Sequence, residues 1–251
     1  MEDTVNPGAI HPALWPLMQI PTLWVAAHDG HLDDVKRLLM EGVNVEEMGG
    51  LNRSSPLYEA AFRGFEDIVQ ELLRYGADMS FKNSWGKTPL HDATHLGHLG
   101  VVLMLLDNGA DVSTKNNAGW TSLHGAAFSG HEAVVFMLLE HGADVSARSC
   151  ASWTPLHLAA MAGNDKMVRV LLHKGADLQS EANDGQTAEG FAIFYGKLRT
   201  AAILVKEAER REAKRTLRCE AFAMGHHKLL GAKSWLRSLD VEVVRMVLEQ
   251  L

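Results

Sequence analysis

The chain has 251 residues, of which 47% are hydrophobic and 22% are charged, and its formal net charge is −7. Its 24 Lys and Arg residues are scattered along the sequence, so no clustered cationic surface and no nucleic-acid partner is expected. The two cysteines, Cys150 and Cys219, argue against a disulfide framework and for a reducing compartment. No run approaches the roughly 18 apolar residues of a spanning helix, and the first residues do not form a secretory signal. We therefore expect no membrane partner and a cytoplasmic location, with the nucleus as the alternative.

The predicted organisation begins with an N-terminal segment, residues 1–20, followed by a repeated array over residues 21–205. The first unit of this array is degenerate, with Pro21-Thr-Leu-Trp24 in place of the motif that later units carry. The second unit has Ser55-Pro-Leu-Tyr58. Gly30 and Gly64 are 34 residues apart, whereas later glycines recur every 33, so we predict one extra residue in the loop near 48–51.

Units three to five carry the clearest motif: Thr88-Pro-Leu-His91, Thr121-Ser-Leu-His124 and Thr154-Pro-Leu-His157, each 33 residues after the previous one. A Thr followed by Pro predicts an N-cap and the first turn of a helix. The glycines at the end of that short helix predict left-handed C-caps. A second helix is predicted from apolar residues at helical spacing, and further glycines end it. The C-cap glycines are Gly97, Gly130 and Gly163.

The sixth unit, Thr187-Ala-Glu-Gly190, loses Pro, Leu and His, as expected of a terminal repeat. A charged helix is predicted to continue through 206–218, with a weak apolar stripe that ends at Gly225. A last helix is predicted over 241–251, because Val243, Val244, Val247, Leu248 and Leu251 lie on one helical face. Residues 206–251 thus form a predicted C-terminal helical extension.

The repeated motif resembles the ankyrin repeat, whose fingerprint is Thr-Pro-Leu-His-x-Ala at a period near 33. The resemblance covers about residues 21–205 and implies an all-α solenoid of about six helical hairpins joined by β-hairpin fingers. It implies a non-catalytic scaffold that binds a protein partner, with no cofactor and no small-molecule substrate. It also implies that the Thr and His residues of the motif hold the turn in place: Thr88, His91, Thr121, His124, Thr154 and His157.

The resemblance further implies that a partner contacts the concave face formed by the fingers and the first helices. The residues at variable positions of this face are Phe62, Arg63, Trp85, Asp92, His95, Leu96, Trp120, Phe128, Trp153, Leu158 and Met161. Large aromatic residues are enriched at interface hot spots, which favours a binding stripe formed by Trp85, Trp120, Phe128, Trp153 and Met161. Trp120 and Trp153 have an alternative interpretation, in which they pack on neighbouring fingers.

The chemistry of an enzyme or a metal site is not indicated by the sequence. The motif histidines are about one repeat apart, so they do not converge on one ion, and adjacent His226 and His227 point apart on a helix. No nucleophile motif or phosphate-binding glycine loop is present. We expect neither catalytic residues nor metal ligands.

The C-terminal extension supports a second hypothesis. Residues 239–251 resemble the opening helix of an F-box, and Thr216-Leu217 with Ala221 resembles the elongin-binding helix of a SOCS box. Asp240 stands where the F-box pattern has Pro, and Gly225 stands where the elongin motif has an apolar residue. The resemblance implies a substrate-recognition adaptor of a ubiquitin ligase, and the alternative is that the extension caps the last repeat.

Overall fold

The computed structural model describes residues 22–229, with side chains described as far as Arg218. The described part folds into six helical hairpins that stack in a row, and this confirms the predicted all-α solenoid. The helices are α1 Leu23–Asp29, α2 Leu32–Met40, α3 Pro56–Arg63, α4 Glu66–Arg74, α5 Pro89–Leu96, α6 Leu99–Asp107, α7 Ser122–Ser129, α8 Glu132–Glu140, α9 Pro155–Ala162, α10 Asp165–His173, α11 Ala188–Phe194 and α12 Leu198–Leu229.

The first helix of each hairpin is defined by residues at its two ends. Ser55, Thr88 and Thr154 are the N-caps of α3, α5 and α9, and a Pro follows each one inside the first turn. The helices end at glycines with left-handed φ angles, 78° at Gly64 and 79° at Gly97. A side chain at such an angle is strained, so glycine is the residue that allows the chain to reverse into the second helix.

The core runs through the whole row of hairpins. Small residues on the first helices let neighbouring units approach closely, and Ala93, Ala126 and Ala159 are fully buried. The second helices contribute larger residues such as Val102 and Leu105, which are also fully buried. Burial of a Leu or Val side chain stabilises a fold by about 1.5–3 kcal/mol. Each unit buries its apolar faces against its neighbours, so stability belongs to the array.

The fingers, defined as residues 83–87, 116–120, 149–153 and 182–186, are tight turns. In each one the first residue donates its backbone N–H to the carbonyl of the fifth, as Asn83 does to Lys87 at 3.0 Å. Neighbouring fingers share one backbone hydrogen bond, such as Asn117 N to Trp85 O at 3.1 Å. The described residues contain an isolated bridge between Gly49 and Ser54 but no continuous strand. The expectation of β-hairpin fingers is therefore wrong in this detail, because the turns are too short for a ladder.

The first finger contains the predicted extra residue. Gly49 and Ser54 exchange two backbone hydrogen bonds, of 3.1 and 3.2 Å, so this turn spans six residues instead of five. Gly50, with φ 68°, and Arg53, with φ 49°, provide the sharper reversal that the longer turn needs.

The last helix, α12, combines the second helix of the sixth unit with the first part of the extension. Arg211 anchors it by donating to the carbonyls of Leu172 and Ala176, at 2.9 and 3.2 Å, where α10 ends. α12 continues to Leu229, four residues beyond Gly225, where the predicted apolar stripe ends. The predicted helix over 241–251 lies outside the described residues. No helix within residues 22–229 has the length and apolar content of a membrane span.

Candidate protein-binding surface

The motif histidines connect each unit to the next one. The backbone N–H of Thr121 donates to His124 Nδ1 at 3.1 Å, and His124 Nε2 lies 3.0 Å from the carbonyl of Trp153 in the following finger. A carbonyl only accepts, so the ring is the neutral tautomer that carries its proton on Nε2. Burial of the ring lowers the pKa of His124 to about 4. The geometry recurs at the other two histidines, and all six motif residues are buried in the array: Thr88, His91, Thr121, His124, Thr154 and His157.

The other repeated histidines also make structural contacts. His98 Nε2 lies 3.0 Å from the carbonyl of Phe62, and His131 Nε2 lies 3.0 Å from the carbonyl of His95. Each ring therefore contacts the end of the preceding first helix. Within the described residues, no group of three His, Cys, Asp or Glu side chains is placed to hold a metal ion.

An apolar stripe lies along the C-terminal ends of the first helices. Its members come from five consecutive units, and the first helices of those units pack against one another in order. Phe62 is 39% exposed and Leu96 is 40% exposed, whereas the preceding alanines of the same helices are fully buried. The stripe is formed by Phe62, Leu96, Phe128, Met161 and Phe194.

The predicted binding residues include the first four of these residues but not Phe194. Phe194 is 75% exposed, and its neighbour Tyr195 is 47% exposed. Phe194 follows Met161 by 33 residues, so the repeat spacing was the signal that could have identified it. The sixth unit lacks the Pro, Leu and His of the motif, so its variable positions are less evident from the sequence.

Two polar members of the predicted site lie beside the stripe. Arg63 is exposed and donates to His28 Nε2 at 2.8 Å. His95 is half-buried, and its Nδ1 lies 2.9 Å from Ser129 Oγ. The His95 ring also stacks on Phe128 with their centroids 6.4 Å apart. These contacts fix the orientation of both side chains before a partner arrives.

The three predicted tryptophans differ in their surroundings. Trp85 stands at the tip of its finger and is 50% exposed. Trp120 is half-buried and stacks on His124 with centroids 6.3 Å apart, and Trp153 meets Phe191 edge to face at 5.2 Å. Packing within the array accounts for one side of these two rings, and their role in binding stays a prediction.

The predicted surface is wrong at Asp92 and Leu158. Asp92 is 3% exposed and Leu158 is fully buried, so neither is available to a partner. The position after the motif His faces the first helix of a neighbouring unit, as the burial of Glu59 and Phe191 at the equivalent positions also shows. Asp92 accepts a hydrogen bond from the hydroxyl of Tyr58 in the preceding unit.

In unit two, Tyr58 occupies the motif position that histidine occupies in units three to five. Its hydrogen bond to Asp92 replaces the contact that the motif histidines make with the following unit. Lys87 Nζ lies 2.7 Å from the second oxygen of Asp92, so the buried carboxylate is paired as well as hydrogen-bonded. Burial beside this carboxylate raises the pKa of Tyr58, which keeps its hydroxyl protonated as the donor. One of the links between units two and three is therefore a charge-assisted hydrogen bond.

Comparison with known proteins agrees with this geometry. A family model described as "Ankyrin repeats (3 copies)" matches residues 23–116 and 123–215. No curated protein sequence matches the chain at a significant level. The two matched ranges include the stripe, all three motif histidines and the fingers 83–87, 149–153 and 182–186, whereas most of the finger 116–120 lies between the two ranges. The chain therefore belongs to the ankyrin-repeat family, whose members generally serve as protein–protein interaction modules.

Proposed function

We propose that the chain is a non-catalytic scaffold that binds a protein partner through the apolar stripe and the tip of the Trp85 finger. The observation that supports this proposal is a row of large apolar side chains at the ends of the first helices, of which Phe62, Leu96 and Phe194 are exposed and Phe128 and Met161 are half-buried. Trp85 and Phe194 are 50% and 75% exposed, although aromatic side chains gain most from burial. Apolar groups that are exposed together are typical of interaction surfaces.

The dimensions of the stripe define the partner segment it accommodates. Packed helices lie about 8–10 Å apart, so the four steps from Phe62 to Phe194 span about 32–40 Å. A helix of roughly 21–27 residues has this length at 1.5 Å per residue. A partner helix with apolar residues every two turns would place one on each unit of the stripe, because two turns rise about 11 Å.

Polar groups beside the stripe favour a defined orientation of the partner. Arg63 is exposed at one end, and its contact with His28 leaves guanidinium donors free for a carboxylate of the partner. Lys87 also lies near the Trp85 ring, at 6.0 Å, but its Nζ is already paired with Asp92 at 2.7 Å, so it does not add to the charge that Arg63 offers. We expect the partner to carry acidic residues opposite this end of the array.

The test is affinity capture from a cell lysate with the wild-type chain and with a Phe62→Ala, Phe128→Ala variant, followed by quantitative mass spectrometry. A genuine partner is depleted at least tenfold by the double substitution, because removal of hot-spot aromatics costs about 2 kcal/mol or more each. The matched control is Leu103→Ala with Phe136→Ala, two residues on second helices that are 43% and 39% exposed. Equal depletion by the control pair, or no depletion by the stripe pair, contradicts the proposal.

The ubiquitin-ligase adaptor is a separate hypothesis about the extension. It requires residues 206–251 to recruit a second protein, while the array binds the substrate. A capture experiment with the wild-type chain and with a chain that ends at Val205 tests it, because the shorter chain lacks both the F-box-like and the SOCS-box-like segments. Loss of ligase subunits from the shorter chain supports the adaptor, and their absence from both samples or their equal retention contradicts it.

A further inference from the structure

A groove of about 980 Å³ lies between α10 and α12, on the second-helix side of the array. Its apolar lining includes Leu172 from α10 and Ile203, Ala213 and Leu217 from α12. The three α12 residues recur at spacings of ten and four, which places them along one side of that helix. The groove is separate from the apolar stripe, which lies on the first helices.

The rim of this groove is cationic. Arg169, Lys206, Arg210 and Lys214 line it, with Glu207 and Glu209 as its carboxylates. The Glu207 carboxylate is already paired, because Arg210 and Arg211 donate hydrogen bonds to it at 3.3 and 3.1 Å. Among residues 22–218, Arg169, Lys206 and Lys214 form no ion pair. The groove therefore favours an occupant that is apolar and acidic.

We propose that the occupant is the chain's own segment 239–251, folded as a helix. This segment carries three acidic residues, Asp240, Glu242 and Glu249, against one cation, Arg245. Its net charge of about −2 is opposite to that of the groove rim, and such complementarity favours and orients docking. Its apolar residues lie at helical spacing and form the face that packs on the groove floor: Val243, Val244, Val247, Leu248 and Leu251.

The length of the chain after α12 suits this arrangement. Lys206 and Leu217 lie 23 and 12 residues before Leu229, or about 35 and 18 Å along the helix. Residues 230–238 span up to about 30 Å when extended, and a 13-residue helix is about 20 Å long. The segment can thus return antiparallel to α12 and cover the part of the groove that lies between Lys206 and Leu217.

The experiment measures hydrogen exchange of the α12 amides between Ile203 and Leu217 in the full chain and in a chain that ends at Leu229. Docking of the segment slows exchange, so we expect the shorter chain to exchange these amides at least tenfold faster. Amides of α6 and α8 serve as the internal control and exchange equally in both chains. Equal exchange over 203–217 in the two chains overturns the proposal.

A charge-swap series on the full chain separates docking from a general loss of stability. Lys206→Glu with Lys214→Glu releases the segment, and Glu242→Lys with Glu249→Lys releases it as well. The four changes combined restore slow exchange, because they recreate opposite charges. Lys36→Glu with Lys166→Glu is the control pair, since neither residue lines the groove. Failure of the combined variant to restore protection contradicts docking through these charges.

The oligomeric state distinguishes the segment from a second copy of the chain. Light scattering of the full chain is expected to give the monomer mass of 27.5 kDa, with protection over 203–217 that does not depend on concentration. A dimer whose protection rises with concentration assigns the groove to a second copy instead.

Discussion

The buried histidines make the stability of the array sensitive to mild acid. His91, His124 and His157 each have a pKa that burial lowers from 6.5, and that of His124 falls to about 4. In the unfolded chain the same residues bind protons near pH 6.5. Between pH 6.5 and about 4 the unfolded state therefore binds more protons, so the free energy of unfolding falls as the pH is lowered.

The magnitude follows from the shift of His124. Because folding lowers the pKa of His124 from 6.5 to about 4, the free energy of unfolding falls by about 3 kcal/mol when the pH is lowered from 7.5 to 3 or below. About 2 kcal/mol of this loss occurs already between pH 7.5 and pH 5, where the unfolded side chain is mostly protonated and the folded one is not. His91 and His157 act in the same direction. Most globular domains are stable by only about 5–15 kcal/mol, so this loss is large.

Urea denaturation at pH 7.5, 6.5, 5.5 and 5 measures this effect. These values lie above the ordinary pKa of Asp and Glu, so the lowered pKa values of Asp111 and Glu207 contribute little there. A His124→Asn variant is less stable at pH 7.5, but its stability depends less on pH. A free energy of unfolding that is constant from pH 7.5 to pH 5, or a His124 ring that titrates near pH 6.5 by NMR, refutes the reasoning.

Two further predictions concern contacts between units. Tyr58→Phe removes the donor to the buried Asp92 and lowers the free energy of unfolding by about 1.5–3 kcal/mol in urea denaturation; a loss below about 0.5 kcal/mol would show that this hydrogen bond is not important. Gly97→Ala is more destabilising than Gly109→Ala. Both glycines have a positive φ, but only at Gly97 does a Cβ come within 2.6 Å of the His131 ring. Equal shifts of the urea-denaturation midpoint in the two variants would contradict this packing argument.

The hairpins were predictable because the signals that define them are local. Thr88 caps a helix that begins one residue later, and Gly97 ends the same helix, so both are visible within ten residues of sequence. The repeat spacing then extended this prediction to the other units. The extra residue of the first finger was found in the same way, from a spacing of 34 in place of 33.

The errors concern contacts that depend on three-dimensional packing. Whether Asp92 faces solvent depends on how closely the neighbouring first helix packs, and its partner Tyr58 is 34 residues away. The predicted apolar stripe of the extension ends at Gly225, but α12 continues past this residue, because a glycine inside a helix costs only about 1 kcal/mol relative to Ala. Phe194 was not predicted because its unit lacks most of the motif from which the variable positions are counted.

The central claim is that a protein partner covers the stripe and the Trp85 finger. Hydroxyl-radical footprinting of the captured complex tests it most directly, because it reads the exposure of individual side chains. We predict that oxidation of Phe62, Trp85 and Phe128 falls at least threefold in the complex, while that of Phe136 on the second-helix side does not change. Protection of Phe136 with unchanged oxidation of the other three would place the partner on the opposite face and contradict the account.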